Sequence, residues 1–185
     1  MQTTQYLTEI IRELQHASEQ IQDEQAELLV NEIIGANKIF VAGAGRSGFM
    51  AKSFAMRMMH MGIQAFVVGE TVTPSLEKGD LLIIGSGSGE TKTLVSMAEK
   101  AASIGAKIAV VTIHPESTIG KLADVIVALP GAPKDQTTSS YQTIQPMGSL
   151  FEQTLLLFFD ALIVRFMEKK ELDTQTMYGK HANLE

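Results

Sequence analysis

Cysteine is absent from the chain, which excludes a disulfide scaffold and any metal site built on thiolates. A basic excess is absent as well: Lys and Arg number 15 against 21 Asp and Glu, a net charge of −6. No global positive field therefore favours nucleic acid or an anionic membrane, and any phosphate bound must be held by local dipoles and a few cations. No apolar run reaches the roughly 20 residues needed to span a bilayer. The opening stretch MQTTQYLTEIIRELQ mixes acidic and polar residues among its apolar ones, unlike a secretory signal. The four histidines, at 16, 60, 114 and 181, are scattered along the chain, and no compact set of metal ligands is visible. The expectation is a cytoplasmic protein with no metal, no membrane association and no nucleic-acid partner.

The 185 residues are 45% hydrophobic and 19% charged, an ordinary globular balance, and one domain over 1–185 is expected. Leu7, Leu14, Ile21 and Leu28 recur every seven residues, predicting one long amphipathic helix over 3–34. The pattern then changes to short aliphatic runs: KIFVAG (38–43), AFVV (65–68), DLLIIG (80–85), KIAVVT (107–112) and DVIVAL (124–129). Such runs suit strands buried on both faces of a parallel sheet. Helix-compatible stretches at 47–61, 90–104 and 117–122 alternate with them. The fold class is therefore α/β: a doubly wound, five-stranded parallel sheet in a flavodoxin-like three-layer sandwich. A polar loop over 130–143 leads to a closing helix from about Pro146 to Lys170, and the tail 171–185 carries no clear element.

Ligands of open parallel sheets sit beyond the carboxyl ends of the strands, near the point where strand order reverses. Two loops there carry suitable chemistry. The first, GAGRSG (43–48), matches the dinucleotide fingerprint through Gly43, Gly45 and Gly48, and Glu70 follows the second strand where a ribose-binding acid would sit. The second, GSGSGET (85–91), is not predicted by that fingerprint. Its glycines let backbone N–H groups converge on an anion at a helix start, and Ser86, Ser88 and Thr91 can each donate a hydroxyl hydrogen to a phosphate oxygen. Three hydroxyls suit a terminal phosphomonoester better than a bridging pyrophosphate. A tight turn with a helix cap uses the same residue types, but one cap needs only one hydroxyl. Ser47 in the first loop fits either role.

GSGSGET resembles the phosphate-binding signature of sugar isomerase (SIS) domains, and GAGRSG resembles their first-strand loop, a likeness covering about residues 30–170. More narrowly, VAGAGRSG, MRMMHMG, PMGSLFEQ and the tail KHANLE together resemble the 6-phospho-3-hexuloisomerase family. The resemblance implies a cofactor-free isomerase that interconverts 3-hexulose 6-phosphate and fructose 6-phosphate in formaldehyde assimilation, the ribulose monophosphate pathway. It also implies a homotetramer. A different phosphosugar aldose–ketose isomerase, a non-catalytic sugar-phosphate-binding protein and a nucleotide-binding Rossmann protein are the alternatives.

Moving a carbonyl from C3 to C2 takes a proton from C2 and returns one to C3 through an enediol, which calls for a base, an acid and donors to the oxyanion. Glu152, near the start of the apolar closing helix, is the candidate base. Its other reading is a first-turn acid completing a capping box with Ser149. His181 lies in a polar tail and would otherwise be a solvated residue; the resemblance implies a catalytic part for it, in its own or a neighbouring subunit. His60 is a lesser substrate-binding candidate in a helix. Gly45, Arg46, Ser47, Ser86, Ser88 and Thr91 complete the expected substrate-binding set, with Arg46 as a fixed cation. Glu90 reads as an acid favouring the start of its own helix. The long apolar stripe of the first helix and the methionines of FAMRMMHM (54–61) leave more apolar surface than a thin sandwich covers, predicting more than a monomer.

Overall fold

Each of the five aliphatic runs becomes a strand in this computed structural model, which describes residues 2–132 and 142–184. The strands are β1 (Ile39–Gly43), β2 (Ala65–Val67), β3 (Leu81–Gly85), β4 (Lys107–Thr112) and β5 (Val125–Ala128). They form one parallel sheet in the order β2-β1-β3-β4-β5. Seven helices accompany them among the described residues: α1 (Thr3–Ser18), α2 (Asp23–Gly35), α3 (Gly45–His60), α4 (Lys92–Ile104), α5 (Thr118–Leu122), α6 (Ser149–Lys169) and α7 (Thr174–Tyr178). None of them is long and apolar enough to cross a membrane.

Alternation along each strand divides the core into two layers. Ile39, Val41, Leu81, Ile83, Ala109 and Val111 face Leu29, Phe54, Met58, Leu155 and Phe159 of α2, α3 and α6. Phe40, Ala42, Leu82, Ile84, Ile108 and Val110 face Leu94, Ala98, Ala101 and Ile119 of α4 and α5. This two-sided burial is why the strands read as continuous aliphatic runs. The Phe54 ring stacks on Phe159, centroids 4.2 Å apart, locking α3 to α6. Truncating either ring to Ala would cost about 3–5 kcal/mol.

Two expectations change. The helix predicted over 3–34 is two helices, α1 and α2, although the seven-residue repeat runs through the break. The Ser18 hydroxyl and the Gln20 amide donate to the carbonyls of Gln15 and His16, competing with the continuing backbone ladder. Asp23 and Glu24 then favour a fresh helix start. The tail holds one short helix, α7. The closing helix is not covered all round within one chain: Leu157 and Val164 are exposed. Most of the polar loop expected at 130–143 lies outside the described residues.

The register sets up the site. Gly43, the last residue of β1, pairs with Gly85, the last of β3, so the two glycine-rich loops leave the sheet at the same level. From there the chain winds one way to β2 and the other way to β4, leaving a crevice between the loops.

Candidate functional site

A cavity of about 310 Å³ fills that crevice. Ser47, Ser86, Ser88 and Thr91 line one part of it, and Phe151 and Glu152 another. Ala44, Thr91 and Gly148, which also line it, are the N-cap residues of α3, α4 and α6. Three helix N-termini therefore converge on one space, each presenting unpaired N–H groups and the positive end of its dipole. In a chain of net charge −6 such local dipoles are what could hold an anion.

Glycine makes the first loop possible. Gly45 has φ +58°, a left-handed conformation that favours glycine. A Cβ on Gly48 would lie 2.7 Å from the Gly43 carbonyl oxygen, so α3 approaches β1 this closely only with glycine there.

The hydroxyls serve the loop and face the cavity together. Ser86 Oγ accepts from the Gly89 N–H at 3.1 Å, and Ser88 Oγ accepts from the Glu90 N–H at 3.2 Å. Each keeps its own hydrogen to donate. Thr91 occupies the N-cap of α4 without a side-chain capping bond, which leaves its hydroxyl uncommitted to the helix. The turn reading and the anion reading are compatible for Ser86 and Ser88; for Thr91 the cap reading does not hold.

Glu152 is buried at the start of α6. Arg46 Nε donates to its Oε2 at 2.5 Å. The helix is capped by Gly148 rather than Ser149, so the capping box suggested by the spacing does not form. Glu90 is displaced from its expected role too. Its carboxylate accepts from the backbone N–H and hydroxyl of Thr118 at 2.7 and 2.8 Å, serving α5 rather than α4. These bonds from Thr118 hold Glu90 below the usual carboxylate range.

His60 and His181 lie elsewhere. Their rings stack with centroids 5.4 Å apart at the C-terminal end of α3, whereas Arg46 and Ser47 occupy its first turn. The 16 residues of α3 separate these ends by about 22 Å at 1.5 Å per residue. His60 is buried, and burial foremost, then the charges of Arg57 and His181, push its pKa below the ordinary value. Among the predicted site residues, the fold thus gathers Ser47, Ser86, Ser88, Thr91 and Glu152 around the cavity, with Gly45 and Arg46 beside it. It sets the two histidines apart from the cavity of their own chain. Among the described residues, no three His, Asp or Glu side chains come together in a way that could hold a metal ion.

The SIS domain profile matches residues 32–157, and the chain is 60% identical to a 3-hexulose-6-phosphate isomerase of Bacillus subtilis over the full length of both. The chain belongs to the SIS domain family. A 3-hexulose-6-phosphate isomerase of Mycobacterium gastri is 38% identical, with 98% of this chain and 91% of that one covered. Among solved structures, a protein of Methanococcus jannaschii, whose structure infers a 3-hexulose-6-phosphate isomerase function, superposes with a TM-score of 0.83. It is 33% identical and covers 97% of this chain and 98% of its own.

Membership of the SIS family decides how GAGRSG is read. Glu70, which the dinucleotide reading would place on a ribose, is paired with Lys52 of α3 at 2.7 Å. Two contributors escaped the sequence reading: the N-terminus of α6 at Gly148, and Phe151 as a wall of the cavity. The run PMGSLFEQ carries both, but nothing in its spacing says that α6 starts against loops far upstream in the chain.

Proposed function

We propose that the chain interconverts 3-hexulose 6-phosphate and fructose 6-phosphate. The observation that carries this is the convergence of three helix N-termini and four hydroxyl side chains on the cavity that Glu152 lines. The full-length identity to the Bacillus subtilis enzyme supports the choice of sugar. In this reading the phosphate lies among Ser47, Ser86, Ser88 and Thr91, with Gly45 allowing close backbone approach and Arg46 supplying the cation. Glu152 takes the proton from C2 of 3-hexulose 6-phosphate, giving a 2,3-enediol, and returns a proton to C3. The hydroxyl hydrogen of O2 passes to O3 as the C3 carbonyl becomes a C2 carbonyl. Atoms and electrons balance without cofactor or metal.

His181 joins this chemistry from a neighbouring subunit, with the buried His60 stacked behind it rather than touching the substrate. Two copies paired antiparallel along α3 set the His60 end of one helix against the Arg46 end of the other, bridging the span that separates them within a chain. Phe49, Met56 and Met59 are exposed on α3 and offer apolar surface for that pairing. Such a pair is isologous and can double into the tetramer that the hexuloisomerase likeness implies.

The test is a side-by-side assay of the purified protein. Conversion of 3-hexulose 6-phosphate to fructose 6-phosphate, without turnover of arabinose 5-phosphate and without NAD binding, is expected. Turnover of arabinose 5-phosphate alone would replace the substrate, and saturable NAD binding would reinstate the nucleotide reading.

A further inference from the structure

We propose that Glu13 of α1 is a positioning residue for the reaction, acting on the start of α6; the inference rests on the reading of Glu152 as the proton carrier. Glu13 belongs to a helix outside the glycine-rich loops, yet its carboxylate gathers three donors from one short segment. Thr143 Oγ1 donates at 2.7 Å, the Ile144 N–H at 2.7 Å and Gln145 Nε2 at 2.9 Å. The Gln145 N–H donates in turn to Thr143 Oγ1 at 3.0 Å, and Gln153 Nε2 donates to Gln145 Oε1 at 2.6 Å. The network thus starts on α1, crosses the segment 143–145 and ends on α6 at the neighbour of Glu152.

Only Pro146, Met147 and Gly148 separate that segment from α6. Met147 adopts φ +59°, a conformation that costs a non-glycine residue energy and persists only where the surroundings impose it. The next residue, Gly148, caps α6 and lines the cavity. An anion accepting three hydrogen bonds makes stronger contacts than a neutral acceptor. Burial pushes the Glu13 carboxyl up, but the bonds from Thr143, Gln145 and Ile144 outweigh it and hold the group below its ordinary range. The phosphate-side hydroxyls of Ser86, Ser88 and Thr91 take no part in this network. Its effect therefore falls first on Glu152, Phe151 and Gly148 at the start of α6, and leaves in place the loop hydroxyls and the α3 and α4 N-termini on the phosphate side.

The experiment compares kcat and KM of Glu13→Ala, Glu13→Gln and Glu152→Gln, with competitive inhibition by inorganic phosphate measured on each. Glu9→Gln serves as control, because among the described residues Glu9 on the same helix pairs with Arg12 at the surface and not with the 143–145 segment. Glu13→Ala should lower kcat by about 10- to 100-fold, the scale of a small misplacement of a reacting group, with KM and phosphate inhibition unchanged. Glu13→Gln keeps the size and one carbonyl acceptor and should fall between, and Glu9→Gln should match the parent. If the Ala variant fails to fold, the Gln variant decides. Full kcat in a folded Glu13 variant beside an inactive Glu152→Gln would overturn the proposal, as would equal loss of kcat and phosphate binding. A fully active Glu152→Gln would instead overturn the proton-carrier reading.

Discussion

Arg46 Nε and Glu152 Oε2 lie 2.5 Å apart, joining the first turn of α3 to the first turn of α6, and the pair is strongly asymmetric: the arginine side chain is 61% exposed and the carboxylate 9%. The cation can swing into solvent or onto an arriving anion, while the carboxylate has nowhere else to go. In the proposed function, a phosphosugar entering the cavity would draw Arg46 away and leave Glu152 facing the sugar. Glu152→Gln keeps the shape and can still accept from Arg46 through its carbonyl oxygen, but cannot carry the proton. It should lose about 10²–10⁴-fold in turnover, with solvent deuterium exchange at C2 falling in step and phosphate inhibition retained. Near-parental turnover would move the base elsewhere.

Arg46→Met separates the cation from the hydroxyls. The stem remains while the charge goes, so KM for the phosphorylated substrate should rise by about tenfold or more, the equivalent of one charge-assisted hydrogen bond. Its salt dependence should weaken, because an exposed cation is screened by added ions. A KM unchanged at low salt would leave Arg46 as a partner of Glu152 alone.

The hydroxyls differ in how cleanly they can be tested. Ser86→Ala also strands the buried Gly89 N–H that the serine oxygen satisfies, so lost stability would blur lost binding. Thr91→Val avoids this, since the Thr91 hydroxyl makes no capping bond. Phosphate affinity should weaken by about 1.5–3 kcal/mol with little change in Tm. Undiminished affinity for fructose 6-phosphate in Ser88→Ala/Thr91→Val would remove the phosphate from the β3 loop.

The sheet was legible because burial on both faces makes each strand a continuous aliphatic run, and the β1 and β3 loops were legible because tight backbone approach demands glycine. Local patterns could not reveal what distant contacts decide. The break between α1 and α2 hides behind an unbroken seven-residue repeat, as Ser18 and Gln20 act only through side-chain bonds. Glu90 looked like a first-turn acid until Thr118, 28 residues on, took its carboxylate. The position of His60 and His181 is likewise tertiary: no spacing tells that both gather at the far end of the helix that opens the site.

Acid should loosen the joint between α2 and α6. Glu27 accepts from Arg165 at 2.6 Å and pairs with Lys169 at 2.6 Å, and these partners, Arg165 foremost, lower its pKa to about 2. A depressed carboxylate pKa contributes stability above its unfolded value of 4.5, which is lost as pH falls from there towards 2. The group is more than a third exposed, so solvent screening keeps the effect modest. Urea midpoints across that window should fall less steeply for Glu27→Gln than for the parent. Parallel slopes would mean that the pair adds nothing to folding.

The stacked histidines allow a decisive test of the shared site. In the proposed mechanism Glu152→Gln disables a subunit's own cavity, whereas His181→Ala, if the histidine acts in trans, disables the cavity of the neighbour. In an antiparallel pair containing one subunit of each kind, one cavity carries both lesions and the other carries both native residues. Random exchange of equal amounts makes half of all pairs mixed, so about a quarter of all sites should regain native composition. Activity should therefore rise on mixing two nearly inactive variants, and should not rise if a crosslink prevents exchange. No recovery in verified mixed oligomers would place His181 outside the chemistry, since in its own chain it lies at the opposite end of α3 from the cavity. A monomer at micromolar concentration by light scattering would remove the shared site altogether.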